Sequence, residues 1–144
     1  MGELLQNLIR RAAEASPDKI AFTDGKTSIS YGELESKSNQ LANLLVEQGM
    51  KIGDRAAVFM PRCAQTAVAF YGILKSGGIV VPVDPGMPAG GVRSLIRNCG
   101  IRFMLTNPKK ARIVRQVLAM PESIECAVGV GCLLYTSPSP RDRG

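Results

Sequence analysis

An α/β fold, with a hairpin followed by alternating helices and a mainly parallel sheet, is predicted by three features of this sequence. Apolar runs without alternation, such as Ile79 to Val83, read as strands covered on both faces. Stretches with apolar residues at helical spacing lie between them, and glycines punctuate the transitions. The stretch Phe70 to Pro88, FYGILKSGGIVVPVDPGMP, carries the whole unit: the end of an apolar helix, a Lys-Ser-Gly-Gly stop, a buried strand and a Pro-Asp-Pro turn. Strands alternating with helices imply right-handed crossovers and parallel pairing.

The elements follow in order. Glu3 to Ala15 places Leu4, Leu5, Leu8, Ile9 and Ala12 at helical spacing and stops before Ser16-Pro17. Ile20 to Thr23 and Thr27 to Ser30 flank Asp24-Gly25-Lys26, a hairpin signal because Asp-Gly tolerates positive φ. Ser30 and Glu33 form an S-x-x-E capping box for a helix that carries Leu34, Leu41, Leu44 and Leu45 on one face and ends at Gly49. Arg55 to Met60 reads as the first buried strand. Pro61-Arg62 then leads into a helix, Cys63 to Lys75, that is apolar nearly all round and so belongs between layers.

Gly77 or Gly78 supplies the left-handed stop of that helix, with Lys75 at the negative end of its dipole. Ile79 to Val83 is the second buried strand and Pro85 to Gly91 a loop. Val92, Leu95, Ile96 and Cys99 mark a helix closed by Gly100, and Arg102 to Thr106 a third strand. Asn107-Pro108 opens a further helix, since proline at its first position forfeits no hydrogen bond. Ile124 to Val130 reads as a fourth strand.

Composition limits the chemistry. At 144 residues the chain is one domain or a piece of one. The absence of histidine removes the usual general base and the commonest metal ligand. Cys63, Cys99, Cys126 and Cys132 show no C-x-x-C spacing, which argues against zinc, and three of them sit in contexts that favour buried free thiols over disulfides. Met1 to Arg10 carries acid early and base late, the reverse of a signal peptide. Lys75, Gly77-Gly78 and Pro82 interrupt the longest apolar stretch before it could span a bilayer, so a cytoplasmic protein is expected. The net charge of +6 is scattered except at Lys109, Lys110, Arg112 and Arg115, a cluster without interleaved aromatics. A solvated helix face accounts for it better than a nucleic-acid site.

No catalytic, cofactor-binding or metal-ligating residue is nominated within this chain. Asp84, just past the strand Ile79 to Val83, is the best-placed acid, because open α/β sheets bind ligands at the carboxyl ends of their strands. Its competing role is to cap the turn at Pro85. Asp24 and Asp54 read as turn residues. Gly77-Gly78 precedes a strand instead of opening a helix, and Gly129-Val130-Gly131 lacks the third glycine of a dinucleotide fingerprint. Serine or cysteine nucleophiles lack a visible base.

Particular residues carry more than these patterns do. Ile29-Ser30-Tyr31-Gly32-Glu33-Leu34 resembles the first core motif of the AMP-forming adenylating enzymes, which include acyl-CoA synthetases and peptide-synthetase adenylation domains. Gly49 to Pro61, GMKIGDRAAVFMP, is similar to the strand entry that follows it in that family. Leu74-Lys75-Ser76-Gly77-Gly78 with Val81-Pro82-Val83-Asp84-Pro85 and Pro88 resembles the second core motif. Cys99 to Thr106 resembles the segment after that. The likeness covers about Ser16 to Leu118, with Gly91 standing where the family commonly has arginine and Arg93 nearby.

The resemblance implies a parent enzyme that uses ATP and Mg²⁺ to activate a carboxylic acid as an acyl-adenylate. Transfer to coenzyme A or a carrier-protein thiol then follows. It also implies that the phosphate loop and the catalytic lysine lie downstream. Residues 1–131 are therefore expected to be a partial N-terminal subdomain, inactive alone and binding neither ATP nor Mg²⁺ tightly, with no specific nucleic-acid partner. Residues 132–144, CLLYTSPSPRDRG, resemble a translated sequencing adapter and are expected to be non-native and disordered; a Ser/Pro-rich tail is the alternative. The rival for the whole chain is a self-contained Rossmann-like nucleotide-binding regulatory module.

Overall fold

A computed structural model describes residues 5–23, 25, 27–119, 124, 126–129 and 135–138, the last two segments by backbone alone. Helix α1 spans Leu5–Ala15, and strands β1 (Ile20–Thr23) and β2 (Ser28–Ser30) form the expected antiparallel hairpin. Helix α2 (Tyr31–Glu47), strand β3 (Arg55–Phe59), helix α3 (Ala64–Lys75) and strand β4 (Ile79–Pro82) follow. Helix α4 (Ala89–Cys99) leads to β5 (Ile101–Thr106). A 3-10 turn (Pro108–Lys110) then enters α5 (Ala111–Leu118), with β6 (Cys126–Gly129) and β7 (Tyr135–Pro138) last.

The capping box at α2 forms as the spacing predicts: the Glu33 amide donates to Ser30 Oγ at 3.1 Å, and the Ser30 amide donates to Glu33 Oε1 at 3.3 Å. Of the two glycines after α3, Gly77 takes the left-handed conformation, with φ 86°. Its amide and that of Gly78 close the helix on the carbonyls of Leu74 and Ile73. Several ends shift by a residue or two from the sequence reading, and two helix starts differ more. Helix α4 starts at Ala89, so Gly90 and Gly91 are helical, because Pro88 in extended conformation already serves as its N-cap. The helix expected from Asn107 opens as a 3-10 turn instead, capped by Asn107 Oδ1, which accepts from the Lys109 amide at 3.1 Å.

The main sheet has the strand order β4-β3-β5-β6-β7. All pairs are parallel except β6 with β7. Irregular chain is expected from residue 132 onward, yet Tyr135–Pro138 pairs antiparallel with β6; residues 130–134 and 139–144 lie outside the described residues.

Two cores flank the sheet. On one face Ala56, Val58, Phe103 and Leu105 meet Leu34, Leu41 and Leu45 of α2, Val68, Ala69 and Ile73 of α3, and Ile9 of α1. Ala57, Phe59 and Met104 point the other way, into α4 and α5, where Val92, Ile96, Val114 and Val117 are buried. The strict alternation of two inward faces explains why these strands read as continuous apolar runs. Ile101 departs from that parity: the pairing jumps from Arg55↔Ile101 to Ala56↔Phe103, leaving Arg102 as the extra residue of a bulge. The bulge frees Arg102 to donate from Nη1 to Asp54 Oδ2 at 2.5 Å.

Candidate functional site

The direction of the crossovers selects the place where a ligand would sit. The chain leaves β3 through α3 toward β4, whereas it leaves β5 through α5 toward β6, and the two helices lie on opposite faces. The outgoing ends of β3 and β5 therefore mark the topological switch point, the place where an open α/β sheet binds its ligands. Met60, Pro61, Arg62 and Cys63 follow β3 at this point, and Thr106 and Asn107 stand at the end of β5.

The polar groups at this edge hold backbone. Thr106 and Asn107 are buried, and Asn107 caps the 3-10 turn. The Cys63 amide donates to Thr66 Oγ1 at 3.2 Å and the Ala64 amide to Thr27 Oγ1 at 3.0 Å, so the start of α3 is satisfied by one residue of its own and one from the hairpin. The Lys110 ammonium lies 5.6 Å from the centre of the Phe59 ring. Asp84 stands just past β4 as expected, where its Oδ1 accepts from the Gly86 amide at 2.8 Å, the geometry of an Asx turn. Among the described residues no three His, Cys, Asp or Glu side chains gather as metal ligands. The thiols of Cys63 and Cys99 are free and half-buried, less enclosed than the sequence suggests; those of Cys126 and Cys132 lie outside the described residues.

A second polar constellation lies across the molecule and was only partly legible in the sequence. The Lys75 ammonium does sit in the last turn of α3, but it turns to α2. It donates to Glu35 Oε1 at 2.6 Å, Ser38 Oγ at 2.7 Å and Asn39 Oδ1 at 2.9 Å. All three proton positions are thereby used, and the ion pair is largely shielded, with the Lys75 side chain 10% exposed. A cleft of about 520 Å³ adjoins it, lined by Gln6, Asn7 and Arg10 of α1 and by Glu35, Asn39 and Asn43 of α2. The sequence reading missed Ser38, whose one signal is its place as a serine on the otherwise apolar stripe of Leu34, Leu41 and Leu45. Nearby on α3, burial and then the Tyr31 phenol push the Tyr71 phenol above its ordinary value, so it is neutral at physiological pH.

The geometry has counterparts in known proteins. Residues 9–141 match the family model described as AMP-binding enzyme. Gramicidin S synthase 2 of Brevibacillus brevis is 33% identical over 104 residues, which make up 72% of this chain and 2% of that protein. Tyrocidine synthase 1 of Brevibacillus parabrevis is 30% identical over 116 residues, 81% of this chain and 11% of that protein. Among solved structures, the nonribosomal peptide synthetase FmoA3 in its α-methyl-L-serine-AMP bound form has a TM-score of 0.75 at 30% identity, over 85% of this chain and 13% of that one. The N-terminal domain of FACL13 from Mycobacterium tuberculosis shares the fold, with a TM-score of 0.74 at 22% identity, over 85% of this chain and 32% of that one. The chain thus spans a small part of the curated relatives it matches. A family match over nearly the whole chain, on a scaffold where the Ser30 cap and the Asp84 turn both form, places this chain in the AMP-binding enzyme family.

Proposed function

We propose that this chain is the N-terminal scaffold of an AMP-forming ligase that activates a carboxylate as an acyl-adenylate for thioester formation with coenzyme A or a carrier-protein thiol. The observation that supports the reading is the pairing of its two core-motif segments in one sheet-and-helix unit. Ile29 to Leu34 opens α2, Leu74 to Pro85 supplies the stop, strand and turn after α3, and Lys75 ties the two together through Glu35.

ATP and Mg²⁺ would serve the whole enzyme, but the residues described here do not fit either group. Asp84 is engaged in its own turn, Asn107 in capping, and no carboxylate cluster gathers among the described residues. Nucleotide and metal contacts are therefore assigned to other parts of the enzyme, and the role of this segment is to position them. No helix among the described residues is long and apolar enough to cross a membrane. We propose further that residues 132–144 are foreign to the ligase scaffold, although Tyr135–Pro138 pairs with β6 and the family match runs to residue 141.

The test is a chimera. Residues 9–118 of this chain replace the aligned segment of tyrocidine synthase 1, and amino-acid-dependent ATP–pyrophosphate exchange is measured beside the 144-residue chain alone. A chimera that exchanges, beside a chain alone that stays at background, is the expected result. A folded chimera without exchange overturns the scaffold reading, and pyrophosphate release by the chain alone overturns its inactivity.

A further inference from the structure

Between Asp84 and the end of α5 the sequence contains seven basic residues and no Asp or Glu. The fold converts this bias into a surface. Arg93 and Arg97 lie on α4, Lys109 and Lys110 on the 3-10 turn, and Arg112 and Arg115 on α5. Both helices bury their apolar sides in the same core on one face of the sheet, so their polar sides share one outer layer. The seventh residue, Arg102, turns away to Asp54. Arg97 is engaged within the chain and Lys110 lies over Phe59, whereas Lys109, Arg112 and Arg115 are exposed and enter no ion pair among the described residues.

We propose that α4, the 3-10 turn and α5 form a docking surface for an acidic polypeptide segment, one that presents a row of Asp or Glu carboxylates. Like charges crowded on one layer repel each other until a partner of opposite sign relieves them, and such a field steers and orients its partner. Arginine dominates the outer positions, and its planar fork suits paired hydrogen bonds to carboxylates. Arg112 and Arg115 are three positions apart on one helix, a spacing that a partner helix bearing carboxylates at its own helical repeat would match.

Two other polyanions fit less well. Neither helix nor the turn carries an aromatic residue on which an unpaired base could stack, and both helices are packed by their apolar sides into the core instead of standing free to enter a groove. Among the described residues none of the exposed large apolar ones, Leu5, Leu8, Ile20, Val46, Ile52 and Ile79, belongs to this layer, so α4, the turn and α5 offer no exposed large apolar side chain to insert into a lipid surface.

The experiment titrates the 144-residue chain, at low micromolar concentration, into a labelled helical peptide of roughly 20 residues with Glu at every fourth position, and into its Gln counterpart. Fluorescence anisotropy is read at about 50 and about 300 mM NaCl. The Glu peptide is expected to bind about tenfold tighter at the lower salt and to lose most of that advantage at the higher. Arg112→Glu with Arg115→Glu should weaken it by about tenfold, while Lys19→Glu with Lys51→Glu, the same charge change elsewhere, should weaken it by less than about twofold. Amide-shift mapping on the unaltered chain gives a readout that does not depend on the variants folding, and the shifts should fall on α4 and α5. Equal binding of the Gln peptide, equal losses from the two charge reversals, shifts elsewhere, or tighter binding of a random DNA duplex or of phosphatidylserine vesicles would overturn the proposal.

Discussion

Gly72, in the middle of α3, shows how much a single missing methyl group decides. A Cβ at this position would stand 2.5 Å from Leu41 Cδ2 and 3.0 Å from Leu41 Cβ, and Leu41 is fully buried. Helix propensity alone favours alanine by about 1 kcal/mol. Here overpacking opposes it, at about 1–3 kcal/mol, because the obstructing atoms reach back to the root of a side chain locked in the core. Gly72→Ala should therefore lower the melting temperature by a few degrees. Gly90→Ala, at an exposed position of α4 where nothing lies within 4 Å of the added methyl, should hold or raise it. Calorimetry on the two variants checks the contrast: a stabilised Gly72→Ala protein would mean that α2 and α3 do not approach closely there. The glycine itself is plain in the sequence, but its neighbour, 31 positions away in α2, is not.

Elements were most legible where their ends are set by local chemistry. The capping box of α2 joins residues three apart, and the hairpin and the Gly77 stop are equally short-range. Ser30→Ala removes the acceptor for the Glu33 amide and should cost about 1 kcal/mol, measurable by urea denaturation, whereas Ser30→Asp should retain most of the stability. Equal losses in both variants would show that the cap contributes nothing. Boundaries slipped where two local signals competed, as at Gly90-Gly91, whose glycines suggest loop while Pro88 already provides the cap. The Arg102 bulge left no local trace, since it arises only when β5 is laid against β3.

At the scale of the whole molecule, the sheet ends on one side with β4, whose four residues, Ile79 to Pro82, carry no charge and leave Ile79 47% exposed. An edge without guarding charges is a template for pairing with another chain. At concentrations of roughly hundreds of micromolar the 144-residue chain should self-associate, and Ile79→Lys should reduce this in sedimentation velocity runs. A parent chain that stays monomeric throughout would show the edge to be protected. The candidate site is a property of this scale too. Asp84 could be placed beyond its strand from sequence alone, but the switch point between β3 and β5 exists only because β4 and β6 fall on opposite sides.

The sequence by itself determined the alternation of helices and strands, the capped helix start, the glycine stop and the family likeness, because each rests on residues near one another along the chain. Tertiary structure alone decided that Lys75 binds Glu35, that Gly72 receives Leu41, that Arg102 leaves the ladder for Asp54, and that two separate basic segments share one surface. Those outcomes depend on which elements become neighbours. That choice is made by burying apolar faces on both sides of one sheet, a global requirement that a local run of residues does not encode.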